Sequence, residues 1–117
     1  MSALNILAKF FGKKDHFYTI YIGLDDKDEH RQMYDTSVYI GDLSSVLRQH
    51  KIAFTLSKVL GGYYHDDGTF VRENTLKVLL RTNKKELKEI IKTIAKHFNQ
   101  EAIFCIKHTY ETHFFKV

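Results

Sequence analysis

The chain has 117 residues, 44% of them hydrophobic and 27% charged, with 18 Lys and Arg against 14 Asp and Glu for a net charge of +4. A chain of this length builds one core and buries roughly two thirds of its unfolded surface. Its composition excludes wholesale disorder, and no stretch approaches the ~20 apolar residues that a bilayer crossing needs. The single cysteine, Cys105, excludes an internal disulfide framework. The first residues lack the charged start, long apolar run and small-residue cleavage site of a signal peptide, so a cytoplasmic location is expected.

Taken in chain order, residues 3–11 (Ala-Leu-Asn-Ile-Leu-Ala-Lys-Phe-Phe) place their apolar positions on one helical face, with Ser2 as cap and Gly12 as stop. Residues 1–14 therefore read as a leading amphipathic helix, and 15–117 as a single domain. Residues 17–23 alternate as a strand, with Tyr18, Ile20 and Ile22 on one face and Phe17, Thr19 and Tyr21 on the other. After a polar loop from Asp25 to Asp35, Thr36 or Ser37 caps a helix whose apolar face is Tyr39, Leu43, Val46, Leu47 and His50, ending near Lys51. Residues 53–65 and 69–81 form two strands around Asp66-Asp67-Gly68, where the Asp-Gly pair supplies the positive backbone angles of a tight hairpin turn. Asn83 with Glu86 forms a capping-box pattern ahead of Leu87, Ile90, Ile91, Ile94, Ala95 and Phe98, an apolar stripe at helical spacing. The last strand runs from Ala102 to Lys107 and on to Phe115, with an irregularity near Thr109.

Strand, helix, strand, strand, helix, strand is the order of a ferredoxin-like split β-α-β sandwich: an α+β fold with a four-stranded antiparallel sheet, two helices on one face and here a short N-terminal helix. Each helix has one strong apolar stripe, so both cover the same sheet face. The strand residues expected to meet them are Tyr18, Ile20, Ile22, Leu76, Val78, Leu80, Phe104 and Ile106. Phe17, Thr19, Tyr21, Lys77, Leu79, Arg81, Ile103, Cys105 and Lys107 are then expected on the opposite, open face.

Of these, Phe17, Tyr21, Lys77, Leu79, Arg81 and Lys107 are the candidate binding face. A face mixing aromatics, aliphatics and basic residues calls for cover, and self-association of the chain as a homodimer, through this face or the leading helix, is the favoured reading. The alternative partner is single-stranded nucleic acid, with Tyr21 stacking on bases while Lys77, Arg81 and Lys107 hold phosphates. Ile20-Tyr21-Ile22-Gly23 resembles the first-strand motif of RNA-recognition domains, but Gly68-Thr69-Phe70-Val71-Arg72 has one aromatic and no basic lead where the partner motif needs more.

The second half, over about residues 61–107, carries a more extended pattern: Gly62-Tyr63-Tyr64, Asp67-Gly68, Arg72-Glu73, Thr75-Leu76-Lys77-Val78-Leu79 and Phe98-Asn99-Gln100-Glu101-Ala102-Ile103. In these blocks the chain resembles an uncharacterised family of small bacterial proteins, formally a domain of unknown function. It departs from that family in having Tyr where Trp is usual and no Trp in the first helix. The resemblance implies the fold and carries no activity, cofactor or catalytic residue.

Among polar constellations, Arg72 and Glu73 are the candidate cluster. Alternation points them to opposite faces, and Glu73 is either a base in a cleft of a small dimeric enzyme or half of a structural ion pair. The seven histidines include no close-set ligand group: His65 belongs to a turn, His50 and His97 to helix ends, and His108 and His113 fall on opposite faces of a regular strand. No metal, no cofactor and no catalytic residue are assigned. Cys105 reads as a packing residue. Lys85, Lys88, Lys92 and Lys96 form a solvated helix face, and membrane contact through residues 3–14 is disfavoured because so short a segment has only Lys9, Lys13 and Lys14 to meet headgroups. A non-enzymatic binding or oligomerising module is thus the expected function.

Overall fold

The computed structural model describes residues 15–113, 115 and 116. The expected leading helix, with its membrane or docking role, lies outside them. Strand β1 (His16–Gly23), helix α1 (Thr36–Gln49), strands β2 (Phe54–Tyr64) and β3 (Phe70–Thr82), helix α2 (Lys84–His97) and strand β4 (Phe104–Lys107) follow in that order. The sheet order is β2-β3-β1-β4 with every neighbouring pair antiparallel, which is the ferredoxin-like α+β arrangement the element order implies.

The β1–β3 register sets Tyr18 opposite Leu80, Ile20 opposite Val78 and Ile22 opposite Leu76. Directly opposed residues share a face, so all six line one side of the sheet. Against it pack Tyr39, Leu43 and Leu47 of α1, and Leu87, Ile90 and Ile94 of α2 with Phe98 just beyond. Ile20, Ile22, Leu76, Val78, Ile90 and Ile94 are fully buried. Each such side chain contributes about 1.5–3 kcal/mol by leaving water, before the entropy of ordering is set against it.

Helix α2 starts as its capping pattern requires: the Asn83 carboxamide oxygen accepts the Glu86 N–H at 2.9 Å. The Glu86 carboxylate, instead of reaching back to Asn83, accepts from Thr82 Oγ1 at 3.0 Å and lies 3.2 Å from His50 Nδ1 at the end of α1. Helix α1 differs from expectation, since Asp35 occupies its N-cap and makes no side-chain cap bond.

Strands β2 and β3 pair over their whole outer length, from Phe54 opposite Leu80 to Tyr64 opposite Phe70. Their tip is the turn expected at Asp66-Asp67-Gly68, closed between His65 and Thr69 just beyond the last ladder pair. The His65 N–H donates to Thr69 O, and the Gly68 N–H to His65 O, both at 2.9 Å, while the Asp67 carboxylate accepts the Thr69 N–H at 2.8 Å. Within this loop only Gly68 has a positive φ, at 89°. The hairpin outruns the helices, leaving Leu60, Tyr64 and Phe70 exposed along its outer half.

Strand β4 is flipped relative to expectation. Phe104 lies opposite Tyr21, Cys105 opposite Ile20, Ile106 opposite Thr19 and Lys107 opposite Tyr18. Cys105 and Lys107 are therefore on the helix side, Ile103 and Cys105 pack on the core, and Phe104 and Ile106 stand on the open side. Ile103-Phe104-Cys105-Ile106 is apolar throughout, so no polar alternation marks which face is which. The strand is four residues long and does not continue to Phe115; one further bond, from the His108 N–H to Phe17 O at 2.9 Å, extends the β1 contact. No helix among the described residues is long and apolar enough to cross a membrane.

Candidate functional site: a carboxylate-lined cleft beside the open face

The open side of the sheet carries Phe17, Tyr21, Lys77, Leu79 and Arg81, as alternation places them, together with Phe104 and Ile106. Lys107 is the exception in the candidate binding face, because it sits opposite Tyr18 on the helix side. The Lys77 ammonium lies 5.9 Å from the Tyr21 ring centroid and the Arg81 guanidinium 5.4 Å from that of Phe17. Tyr21 leans on Phe104 at 5.9 Å between centroids. Phe104 is 65% exposed, and Leu79 and Ile106 are 38% exposed each, so the surface is apolar at its middle and basic around it. At its lower end a shallow hollow brings His108 and His113 together with Phe17, Leu79 and Tyr110. The irregular chain after β4 permits this meeting, which a regular strand would have prevented. His108 Nε2 is 2.7 Å from Thr19 Oγ1.

The other end holds a larger feature. Where β1 stops, the loop after it, the outer half of the β2–β3 hairpin and the α2–β4 connection surround a cavity of about 640 Å³ lined by Asp25, Asp26, Lys27, His30, Tyr63, His65, Val71, Glu73, Gln100, Glu101 and Ala102. That volume lies in the range of ordinary small-molecule sites. Tyr63, Val71 and Glu73 reach it because they share the open side of the hairpin, Tyr63 opposite Val71 and Glu73 opposite Gly61. Arg72, one residue away, projects to the other side, its guanidinium 6.0 Å from the Phe70 ring centroid. Glu73 therefore shares the lining of the cavity with His30 and His65, and not with Arg72.

The wall opposite the hairpin is pinned by hydrogen bonds. The Leu24 N–H donates to Asn74 O at 3.0 Å, and Leu24 itself is fully buried. The Asp25 N–H donates to the Glu73 carboxylate at 3.1 Å, and the Gln100 amide donates to Asp25 O at 2.7 Å. The Asp26 carboxylate accepts the N–H groups of Asp28 and Glu29, both at 2.9 Å, and the Asn99 amide at 2.8 Å. Asn99, at a φ of 49°, turns the chain out of α2, and its carbonyl accepts the Lys27 N–H at 3.1 Å.

Three titratable groups facing this cavity are perturbed in the same direction. Burial pushes the Glu73 carboxyl above its ordinary value and the Asp25 charge adds to the rise, while the Asp25 N–H bond opposes it. Burial likewise raises the Asp25 carboxyl. The Tyr63 hydroxyl is raised by burial and then by the charges of Glu73 and Asp25. Asp26 moves the other way, held low first by its bond from Asn99. A cluster of groups displaced together in one cleft is the pattern of a binding or acid–base site. The Cys105 thiol, which burial pushes up, is no activated nucleophile. Among the described residues no group of three or more His, Cys, Asp and Glu side chains converges to hold a metal ion.

Sequence reasoning singled out Glu73 but missed Asp25, Tyr63, Gln100 and Glu101 as its companions. A signal was present: Gly62-Tyr63, Arg72-Glu73 and Gln100-Glu101 are three of the blocks that carried the resemblance, and each sends a residue to this one cavity.

No protein-family model matches the sequence, and no curated protein does. Solved structures do. A phage SAM lyase in complex with S-methyl-5'-thioadenosine is similar with a TM-score of 0.56, 16% identity and 81% of each chain covered. The periplasmic divalent cation tolerance protein CutA from Archaeoglobus fulgidus is similar with a TM-score of 0.56 and 9% identity over 86% of this chain and 87% of that one. CutA from Synechococcus elongatus gives 0.57 and 11% over 86% and 80%. At such identities the likeness establishes the ferredoxin-like fold.

The raised Glu73 carboxyl has a definite consequence for stability. The folded chain holds this proton more tightly than the unfolded chain, so Glu73 costs stability as pH rises from the unfolded value of about 4.3 through the native one. Glu73→Gln, which keeps an acceptor for the Asp25 N–H, should gain on the parent in urea-unfolding free energy between pH 4 and pH 7. A difference that stays flat across this range would show the carboxyl to be unperturbed.

Proposed function

We propose that this chain is a self-associating, small-molecule-binding protein whose cleft over Glu73 takes an organic cation of the S-adenosyl sulfonium type. One observation carries the reading: on a chain of net charge +4, the cavity gathers the carboxylates of Asp25, Asp26, Glu73 and Glu101 against a single lysine, Lys27. A concave, partly dry site with that balance concentrates cations and rejects phosphates. Tyr63 and His65, whose rings meet edge to face at 5.5 Å, form an aromatic corner with ring faces on which a base can stack, and the Gln100 and Glu101 segment supplies polar groups for a ribose. The phage SAM lyase of the same fold has a sulfur-bearing adenosine in its complex, which supports the ligand class without assigning it.

A lyase activity on such a ligand is the second reading. It is favoured by the placement of Glu73, Asp25 and Tyr63 around one cleft, where burial raises the proton affinity of all three. In such a step a carboxylate such as Glu73 takes the proton beta to the sulfonium, the C–H electron pair forms a C=C bond, and the C–S bond breaks with its pair leaving on the neutral thioether, so no metal and no redox partner is needed.

Calorimetry with S-adenosylmethionine and with S-methyl-5'-thioadenosine separates charge recognition from nucleoside recognition. The sulfonium should bind more tightly, and Glu73→Gln should weaken it about tenfold, some 1.4 kcal/mol, while changing the neutral thioether little. Chromatography of the same mixtures should show S-methyl-5'-thioadenosine accumulating from the sulfonium with the parent chain and not with the variant. Absence of binding by either compound would overturn the ligand class; binding without accumulation would overturn the lyase reading alone.

Self-association through the open face is supported by Leu79, Phe104 and Ile106, which stand exposed in one patch beside Tyr21 with no described helix over them. A standard-sized contact of this kind holds at micromolar concentration or tighter. Sedimentation should therefore show an oligomer at roughly tens of micromolar, and Phe104→Glu should shift it to the monomer. A monomeric parent chain under those conditions would contradict the assembly.

A further inference from the structure

The Glu73 carboxylate does not extend from its strand toward solvent. It folds back across the end of β1 to accept the Asp25 N–H at 3.1 Å, and the space it occupies belongs to Gly23. A Cβ on residue 23 would lie 2.5 Å from the Glu73 Cδ and 2.6 Å from Oε2, and still closer to Oε1. Residue 23 lies opposite Thr75, on the same side of the sheet as Glu73, so any side chain there would point straight into the carboxylate. Conformational freedom does not explain this glycine: Gly68 is the one glycine with positive φ among the described residues, and Gly23 continues the strand. On the other flank Glu73 is opposite Gly61, which does not border the carboxylate. Gly61 serves a different neighbour, since a Cβ there would come 2.6 Å from Thr75 Oγ1.

We infer that Gly23 is a positioning residue for the cleft: the missing side chain is the socket that seats the Glu73 carboxylate against the Asp25 N–H. A methyl group at 23 would expel the carboxylate from the socket and break that bond, changing the charge the cleft presents while leaving its lining residues in place. The bearing of this on ligand binding rests on the reading of the Glu73 cleft given above. The placement itself does not, and its test contains no ligand, so a cleft that binds nothing would leave the inference standing.

The test is nuclear magnetic resonance titration of the full chain and its Gly23→Ala variant, following the Glu73 carboxyl carbon and the Asp25 amide proton. In the parent chain the amide should titrate in step with the carboxyl. In Gly23→Ala that coupling should vanish and the carboxyl midpoint should fall toward the value of an exposed glutamate, whereas Gly41→Ala, at a helix position where a Cβ meets nothing within 4 Å, should change neither. A Gly23→Ala chain whose Asp25 amide still follows Glu73 at the parent midpoint would overturn the inference. Urea unfolding of a double-mutant cycle covers the case of a poorly folded variant: Gly23→Ala should lower the midpoint in the parent and do so much less in a Glu73→Ala background, where the socket is empty. Equal losses in the two backgrounds, or failure to fold in both, would assign Gly23 to the backbone and overturn the inference as well.

Discussion

The antiparallel pairing of β1 with β3 is the constraint on which the rest of the molecule turns. Because side chains alternate along a strand, one residue of slip would send Ile20 and Ile22 to the open side and Tyr21 to the helices. The observed register joins Tyr18, Ile20 and Ile22 to Leu80, Val78 and Leu76, and so makes a single apolar floor wide enough for two helices. Burial of that floor holds the register, and the register in turn decides what is left outside. The ion pairs between the helices, His50 with Glu86 and His97 with Asp42, are partly exposed and contribute little beside it.

The same pairing builds the cleft. β1 ends at Gly23, opposite Thr75, while β3 and β2 continue past it as a free hairpin. The sheet therefore has a step, and the loop from Leu24 turns back into it, so that Glu73 on the longer strands faces the amide of Asp25 across the step. Glu73 and Asp25, half-buried in this step, hold their protons more strongly than acids in water because the recess solvates their charged forms poorly, whereas Asp26 at its edge is held low by its bond from Asn99. That is why a fold with an ordinary core presents a chemically unusual corner, and why the apolar open face and the charged cleft, though adjacent, suit different visitors.

Much of this was legible in the residues. The α2 stripe of Leu87, Ile90 and Ile94, its Asn83 cap, and the alternation of β1 and β3 each follow a rule of periodicity or capping that the structure obeys. β4 was not legible as to face, since four consecutive apolar residues carry no alternation, and this is what moved Lys107 off the open side and put Phe104 and Ile106 on it. The hairpin turn was legible at Asp66-Asp67-Gly68, although Gly68 alone takes the positive φ and the Asp67 carboxylate instead accepts the Thr69 N–H. At the cleft, the one-residue alternation that separates Arg72 from Glu73 was readable, but the meeting of Glu73 with Asp25 and Gln100 was not. It spans three segments distant in sequence and depends on where β1 stops, which no local pattern announces.

Nuclear Overhauser contacts across β1 and β3 in an isotope-labelled sample test the central pairing most directly. The register predicts Tyr21 opposite Lys77 and Thr19 opposite Leu79, with Gly23 opposite Thr75 at the edge of the cleft. Contacts that place Tyr21 opposite Leu76 or Val78 instead would shift every side chain to the other face and contradict the floor, the open surface and the cleft together.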